Sequence, residues 1–128
     1  MTRRMNLKTV AIAISILALS VGVFGRAQTA PAPFDRAIWL QGENAKMSPD
    51  APRLSMADGL VSSRALLGKS RSEVEAMLGA PTQTDKFRDY DLVYWLGAER
   101  GYMSIDSEWL VVRFDKTNKV SEAKIVRD

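Results

Sequence analysis

The stretch Gly68-Lys69-Ser70-Arg71-Ser72-Glu73-Val74-Glu75-Ala76-Met77-Leu78-Gly79-Ala80-Pro81 decides the fold of this chain. It reads as one short helix with both ends written in. Ser70 offers its hydroxyl to the backbone N–H of Glu73. Glu73 can reach back to the N–H of Ser70, completing a capping box. Gly79 supplies the left-handed residue past the C-terminus, and Pro81 blocks continuation. Val74, Met77 and Leu78 fall at i, i+3 and i+4, so one narrow face is buried. A helix of about two turns is not stable alone and has to dock on something larger.

The larger surface lies downstream, where the period changes to two. Leu92, Tyr94 and Leu96 alternate with Val93 and Trp95. Leu110, Val112 and Phe114 alternate with Trp109, Val111 and Arg113. Ala123 and Ile125 alternate with Glu122 and Lys124. β-Branched and aromatic residues fill these runs, as strands prefer. Asp115 to Lys119 joins the last two as a hairpin loop, with Asn118 suited to a positive φ. Residues 83–88 are a candidate for a short fourth strand at the edge. Upstream, Ser55-Met56-Ala57-Asp58 resembles a second, weaker capping box. Met56, Leu60, Val61 and Leu67 then form a helical stripe that Gly68 closes. Asp35 can cap a single helical turn ending near Gly42. Glu43 to Arg53, with Pro49 and Pro52, reads as a loop. The expected fold is α+β: two short helices packed on one face of a three- to four-stranded antiparallel meander.

The first segment is an address. Arg3, Arg4 and Lys8 precede an apolar run of 15 residues from Val10 to Phe24, and Gly25-Arg26-Ala27 offers small residues for cleavage. That is the layout of a secretory signal peptide over residues 1–27. The run is shorter than the roughly 20 residues that span a bilayer. An uncleaved membrane anchor is the alternative. Residues 28–52 are expected as a flexible spacer and N-terminal segment, and 53–128 as the folded domain.

Cleavage changes the charge argument. Of the 18 basic residues, Arg3, Arg4, Lys8 and Arg26 leave with the signal, so 14 face 15 acidic ones and the net charge becomes −1. A nucleic-acid role and a polybasic membrane-surface role both lose their electrostatic support. The expected location is periplasmic or secreted.

Catalytic chemistry finds little to work with. The sequence has no cysteine and no histidine, which removes thiol nucleophiles, imidazole bases and the commonest zinc ligands. Asp85, Asp89 and Asp91 lack the spacing of a calcium loop and read as turn residues around Tyr90. Asp106 and Glu108 at i, i+2 are a poor glycosidase pair. Lys69-Ser70 is no nucleophilic dyad, because Ser70 is a cap. The expectation is a non-enzyme without cofactor or metal.

Together these elements resemble a known family. Entry through Leu67 and Gly68, the helix from Ser70 to Val74, the corner Leu78-Gly79-Ala80-Pro81 and the strand end Val112-Arg113-Phe114-Asp115 are similar to the outer-membrane assembly domain BamE, also called SmpA or OmlA. Trp39, Arg53-x-x-Met56, the Leu78-Gly79-Ala80-Pro81 corner and the strand Tyr94-Trp95-Leu96-Gly97 recur in similar small exported bacterial proteins. The topology is shared with β-lactamase inhibitor proteins. In that resemblance Ser70, Glu73, Gly79 and Pro81 are structural. BamE-type proteins carry a lipidated cysteine after the signal, and this sequence has none, so lipid anchoring is not expected.

The resemblance implies an exported adaptor or protein-binding module of the bacterial cell envelope, linked to outer-membrane protein assembly or envelope integrity. A periplasmic small-ligand or lipid-binding protein is the alternative. The candidate surface is the sheet face turned away from the helices, where strand parity collects Val93, Trp95, Trp109 and Val111, with Val126 beside them. Such a face is too apolar to stand bare. Either Phe34, Ile38, Trp39 and Leu40 fold back over it, or it binds a partner protein, a second copy or lipid.

Overall fold

The computed structural model describes residues 31–42, 51–101, 103 and 105–128. The expected signal peptide and most of the polar loop from Glu43 lie outside them. The described elements run in the order α1 (Arg36–Gln41), α2 (Pro52–Ser62), α3 (Arg71–Leu78), β1 (Leu92–Ala98), β2 (Ser107–Phe114) and β3 (Val120–Arg127). The strands form one antiparallel sheet in the order β1-β2-β3.

The corner around α3 forms as its sequence dictates. Ser70 Oγ accepts from the Glu73 N–H at 3.2 Å, and the Ser70 N–H donates to Glu73 Oε1 at 3.1 Å. Val74 and Leu78 are buried on the face turned to the sheet. Gly79 has φ 79° and ψ −170°, a region almost reserved for glycine. Its ψ is extended rather than left-handed helical, so the chain leaves the helix straight toward Pro81. A side chain at this position would meet Leu40 Cδ2 at 2.7 Å.

The start of α2 corrects the expectation. Ser55 caps nothing; the helix begins at Pro52, with Ala51 as a cap that makes no side-chain bond. Proline fits the first helical position because its missing N–H needs no partner there. Ser55 Oγ instead accepts the backbone N–H of Ala32 at 2.8 Å. The end differs too. The helix stops at Ser62, Arg64 turns to φ 57°, and Leu66 rather than Leu67 is buried. Gly68 then donates its N–H to the Val120 carbonyl at 2.9 Å, tying the corner to β3.

Residues 83–88 are not a fourth strand but a run of turns and bends, so the sheet has three strands. Their polar residues serve the turn instead. Just before them, Thr82 bonds to β1: its N–H donates to the Val93 carbonyl at 2.8 Å and its hydroxyl accepts from the Trp95 N–H at 2.9 Å. The hairpin loop after β2 forms as read, with Asn118 at φ 60°. Asp115 Oδ1 gathers the Thr117 hydroxyl and the N–H groups of Thr117 and Lys119. These bonds, the Thr117 hydroxyl first, hold its carboxyl below the usual range.

Burial divides the sheet's two faces as parity requires. Leu92, Tyr94, Leu96, Leu110 and Val112 join Leu54, Leu60, Val74 and Leu78 in the main core, with Phe114, Ala123 and Ile125 at its margin. The N-terminal segment supplies the largest correction. Trp39 does not cover the outer face; it is fully buried in the main core, between Phe34 and Tyr94. Its Nε1 donates to the Leu78 carbonyl at 3.0 Å. Asp35 caps α1 by accepting the Ile38 N–H, as expected. The compact unit therefore runs from Pro31 to Asp128 and starts well before residue 53.

Candidate functional site

The outer sheet face brings its four expected residues together. Val93 pairs with Val111 and Trp95 with Trp109 across β1 and β2. The face is not bare, however. Val111 is fully buried, Trp109 is 7% exposed and Val93 8%. Of the four, Trp95 alone is half-buried. The cover is the turn segment before β1, not α1. Phe87, held at φ 56°, packs its ring 6.0 Å from that of Trp109, and Tyr90 packs on the same cluster. A bulky residue at positive φ is costly, and the burial of Phe87 against Trp109 offsets that cost.

Cations border this second core. The Arg113 guanidinium lies 4.4 Å from the Tyr90 ring centroid and the Lys124 ammonium 5.5 Å. Arg113 also pairs with Glu122 at 2.9 Å, its neighbour in register. Tyr90 and then Glu122 push the Lys124 pKa up. Lys86 pairs with Asp128 at 2.8 Å, and Asp128 Oδ1 accepts the Ser107 N–H at 2.7 Å. Those two contacts, in that order, hold the Asp128 carboxyl low. Trp109 Nε1 makes no direct hydrogen bond among the described residues, although it is close enough to Asp128 to add to that effect.

The polar residues on the helix side are committed to one another. Arg100 reaches Glu108 through its side chain, with Nη2 at 2.8 Å from Oε1, and its backbone N–H donates to Oε2 at 2.8 Å. It also forms a forked pair with Asp58 on α2. Burial pushes the Glu108 carboxyl up, but the bonds from Arg100 more than offset this and its pKa falls below the ordinary value. Glu108 and Asp58 in turn raise the Arg100 pKa. Arg127 pairs with Glu99 at 3.0 Å beside this cluster. Asp106, exposed at the surface, stands apart from the buried Glu108. Asp91 accepts the Phe114 N–H at 2.7 Å, and Asp85 pairs with Arg88 at 3.4 Å. Among the described residues no group of three acidic side chains is placed to hold a metal ion.

Two arginines make contacts that no local pattern specifies. Arg53 is 1% exposed. Its Nε donates to the Trp39 carbonyl at 2.7 Å, Nη1 donates to the Trp95 carbonyl at 3.0 Å, and its guanidinium lies 4.8 Å from the Trp39 ring centroid. It thus locks α1, α2 and β1 together. Gly42 leaves the room, since a side chain there would stand 2.8 Å from Arg53 Cγ. Arg100 joins α2 to β2 in the same way. Both connections depend on long-range pairing, which spacing along the chain does not encode.

Residues 65–124 match the family model described as "Outer membrane protein assembly factor BamE domain". The match takes in the capped corner, the turn segment and nearly the whole meander. No curated protein and no solved structure matches the chain. No helix among the described residues is long and apolar enough to cross a membrane. With its capped corner, its Leu78-Gly79-Ala80-Pro81 exit and its three-stranded meander, the stretch 65–124 is a BamE-like domain.

Proposed function

We propose that this chain is an exported, non-catalytic protein-binding module of the bacterial cell envelope, serving outer-membrane protein assembly or envelope integrity from the periplasm. The observation that carries this reading is the BamE domain over residues 65–124. The geometry agrees with it. Asp58, Glu108, Asp115 and Asp128 are consumed by internal pairing and capping rather than gathered in a cleft. A partner would meet the outer face at Trp95 and its cationic border of Arg113 and Lys124, with Val93, Trp109 and Val111 supporting from below. Aromatic anchors ringed by polar groups are the usual energetic centres of interfaces. The small-ligand reading needs an open apolar sheet face, and Phe87 and Tyr90 already occupy it, so protein docking is preferred.

The test is cross-linking of the tagged full chain in its native envelope. One protein partner recovered at a constant ratio supports the proposal. Recovery of phospholipid or a small molecule without protein overturns it.

A further inference from the structure

The two edges of the sheet are treated differently. The β1 edge is closed. Thr82 takes the Val93 carbonyl and the Trp95 N–H, and Arg53 takes the Trp95 carbonyl. The start of β3 is closed as well, because Val120 exchanges both backbone bonds with Gly68 and Lys69. Beyond Val120 the closure ends. The Asp128 N–H donates to the Ser107 carbonyl of β2. Backbone direction alternates along a strand, so Val126 and Lys124 also face β2, whereas Ala123, Ile125 and Arg127 turn their N–H and C=O groups to the open edge. No described residue outside the sheet bonds to those groups.

A groove runs beside this edge. It has a volume of 310 Å³ and lies between the end of α2, the following turn and β3, with Leu60, Val61, Leu66, Leu67 and Ala123 in its walls. Arg64 stands at the same groove, exposed, and no carboxylate among the described residues pairs with it. The charges of β3 itself are spent elsewhere. Glu122 also borders the groove, but its carboxylate is taken by Arg113 and Lys124.

We infer that the open stretch of β3, with the groove next to it, is a docking site for an extended segment of a partner protein that carries an apolar and an acidic side chain two residues apart. The added strand would bond to Ala123, Ile125 and Arg127. Its alternate side chains share one face, so the apolar one enters the groove while the acidic one meets Arg64. Main-chain bonds supply affinity in such strand addition, and the side-chain pocket supplies selectivity. Charge favours this occupant over a second copy. β3 of another molecule presents Ile125 and Arg127 at that two-residue spacing, and so offers no acidic side chain to Arg64. The inference rests on the protein-binding reading and adds to it a second surface, separate from the outer face at Trp95.

The probe is a synthetic peptide of about seven residues, long enough for one strand, alternating threonine with valine and carrying leucine and glutamate two apart. Its lysine counterpart and a version N-methylated along one edge are the controls. Amide exchange and titration are read on the purified full chain. The glutamate peptide should slow exchange at Ala123, Ile125 and Arg127 and bind at least tenfold tighter than the lysine peptide. N-methylation should abolish binding. Arg64→Glu, at an exposed position with no carboxylate partner among the described residues, should leave the fold intact and invert the charge preference. No protection at these three amides, or equal affinity for both peptides, overturns the inference. So does protection that develops with protein concentration alone, which would assign the edge to a second copy. Either failure leaves the envelope cross-linking result standing, because that experiment does not depend on which surface is used.

Discussion

Replacing Trp39 by Phe should destabilise the whole domain, although residue 39 lies far from the sheet in sequence. The phenyl ring keeps most of the apolar contact with Phe34 and Tyr94. What is lost is the indole N–H and the second ring. The Leu78 carbonyl, reached at 3.0 Å, loses its donor, and an unsatisfied buried acceptor costs about 1–3 kcal/mol. The missing ring leaves roughly 40 Å³ empty, about 1 kcal/mol at the measured cost of cavities. The sum is about 2–4 kcal/mol, out of the roughly 5–15 kcal/mol that holds such a domain together. Urea unfolding of the full chain, followed by far-ultraviolet circular dichroism, measures this directly. Ile38→Ala is the control, since Ile38 is 44% exposed on the same helix and should cost less than about 0.5 kcal/mol. If Trp39→Phe costs no more than Ile38→Ala, α1 is not docked in the core and the account of the N-terminal segment fails.

Ser70→Ala should cost about 1 kcal/mol through loss of the cap. Gly79→Ala should cost more, about 1–3 kcal/mol, because alanine resists its backbone conformation and would meet Leu40; equal urea midpoints for both would refute the corner. Stability should fall on the acid side. The folded Glu108, Asp115 and Asp128 carboxyls sit below their ordinary values. Their contribution is therefore complete above the unfolded pKa of about 4 and is lost as pH drops through the folded values. Urea midpoints should be level between about pH 8 and 6 and decline below about 4.5, and Glu108→Gln should be about 1–3 kcal/mol less stable at neutral pH with a shallower acid decline. Export should leave a mature chain beginning at Gln28 and released by osmotic shock, whereas full-length chain in membrane pellets would show an anchor.

The corner and the meander were legible because their signals are local. A capping box, a glycine before a proline and a period of two each act within a few residues, and α3 and the three strands formed where those signals fall. The placements that were not legible depend on contacts between distant residues. Trp39 could have packed on either sheet face; the choice is made by the Leu78 carbonyl and the Arg53 guanidinium, 39 and 14 residues away. Parity correctly collected Val93, Trp95, Trp109 and Val111 on one face. It gave no notice that Phe87 would cover them, because a phenylalanine at φ 56° runs against its local preference and is held only by the packing it makes. Ser55 shows the converse. Its spacing to Asp58 resembled a cap, but Pro52 upstream made an earlier start available.

The division of the sheet into two closed cores is tested most directly by its own tryptophans. Three variants, each retaining one of Trp39, Trp95 and Trp109 with Phe at the other two positions, would be titrated with acrylamide while fluorescence is recorded; a folded circular dichroism spectrum is the condition for reading each one. The expected order of quenching is Trp95 well above Trp109, with Trp39 least. Trp109 quenching as strongly as Trp95 would mean that Phe87 and Tyr90 do not close the outer face.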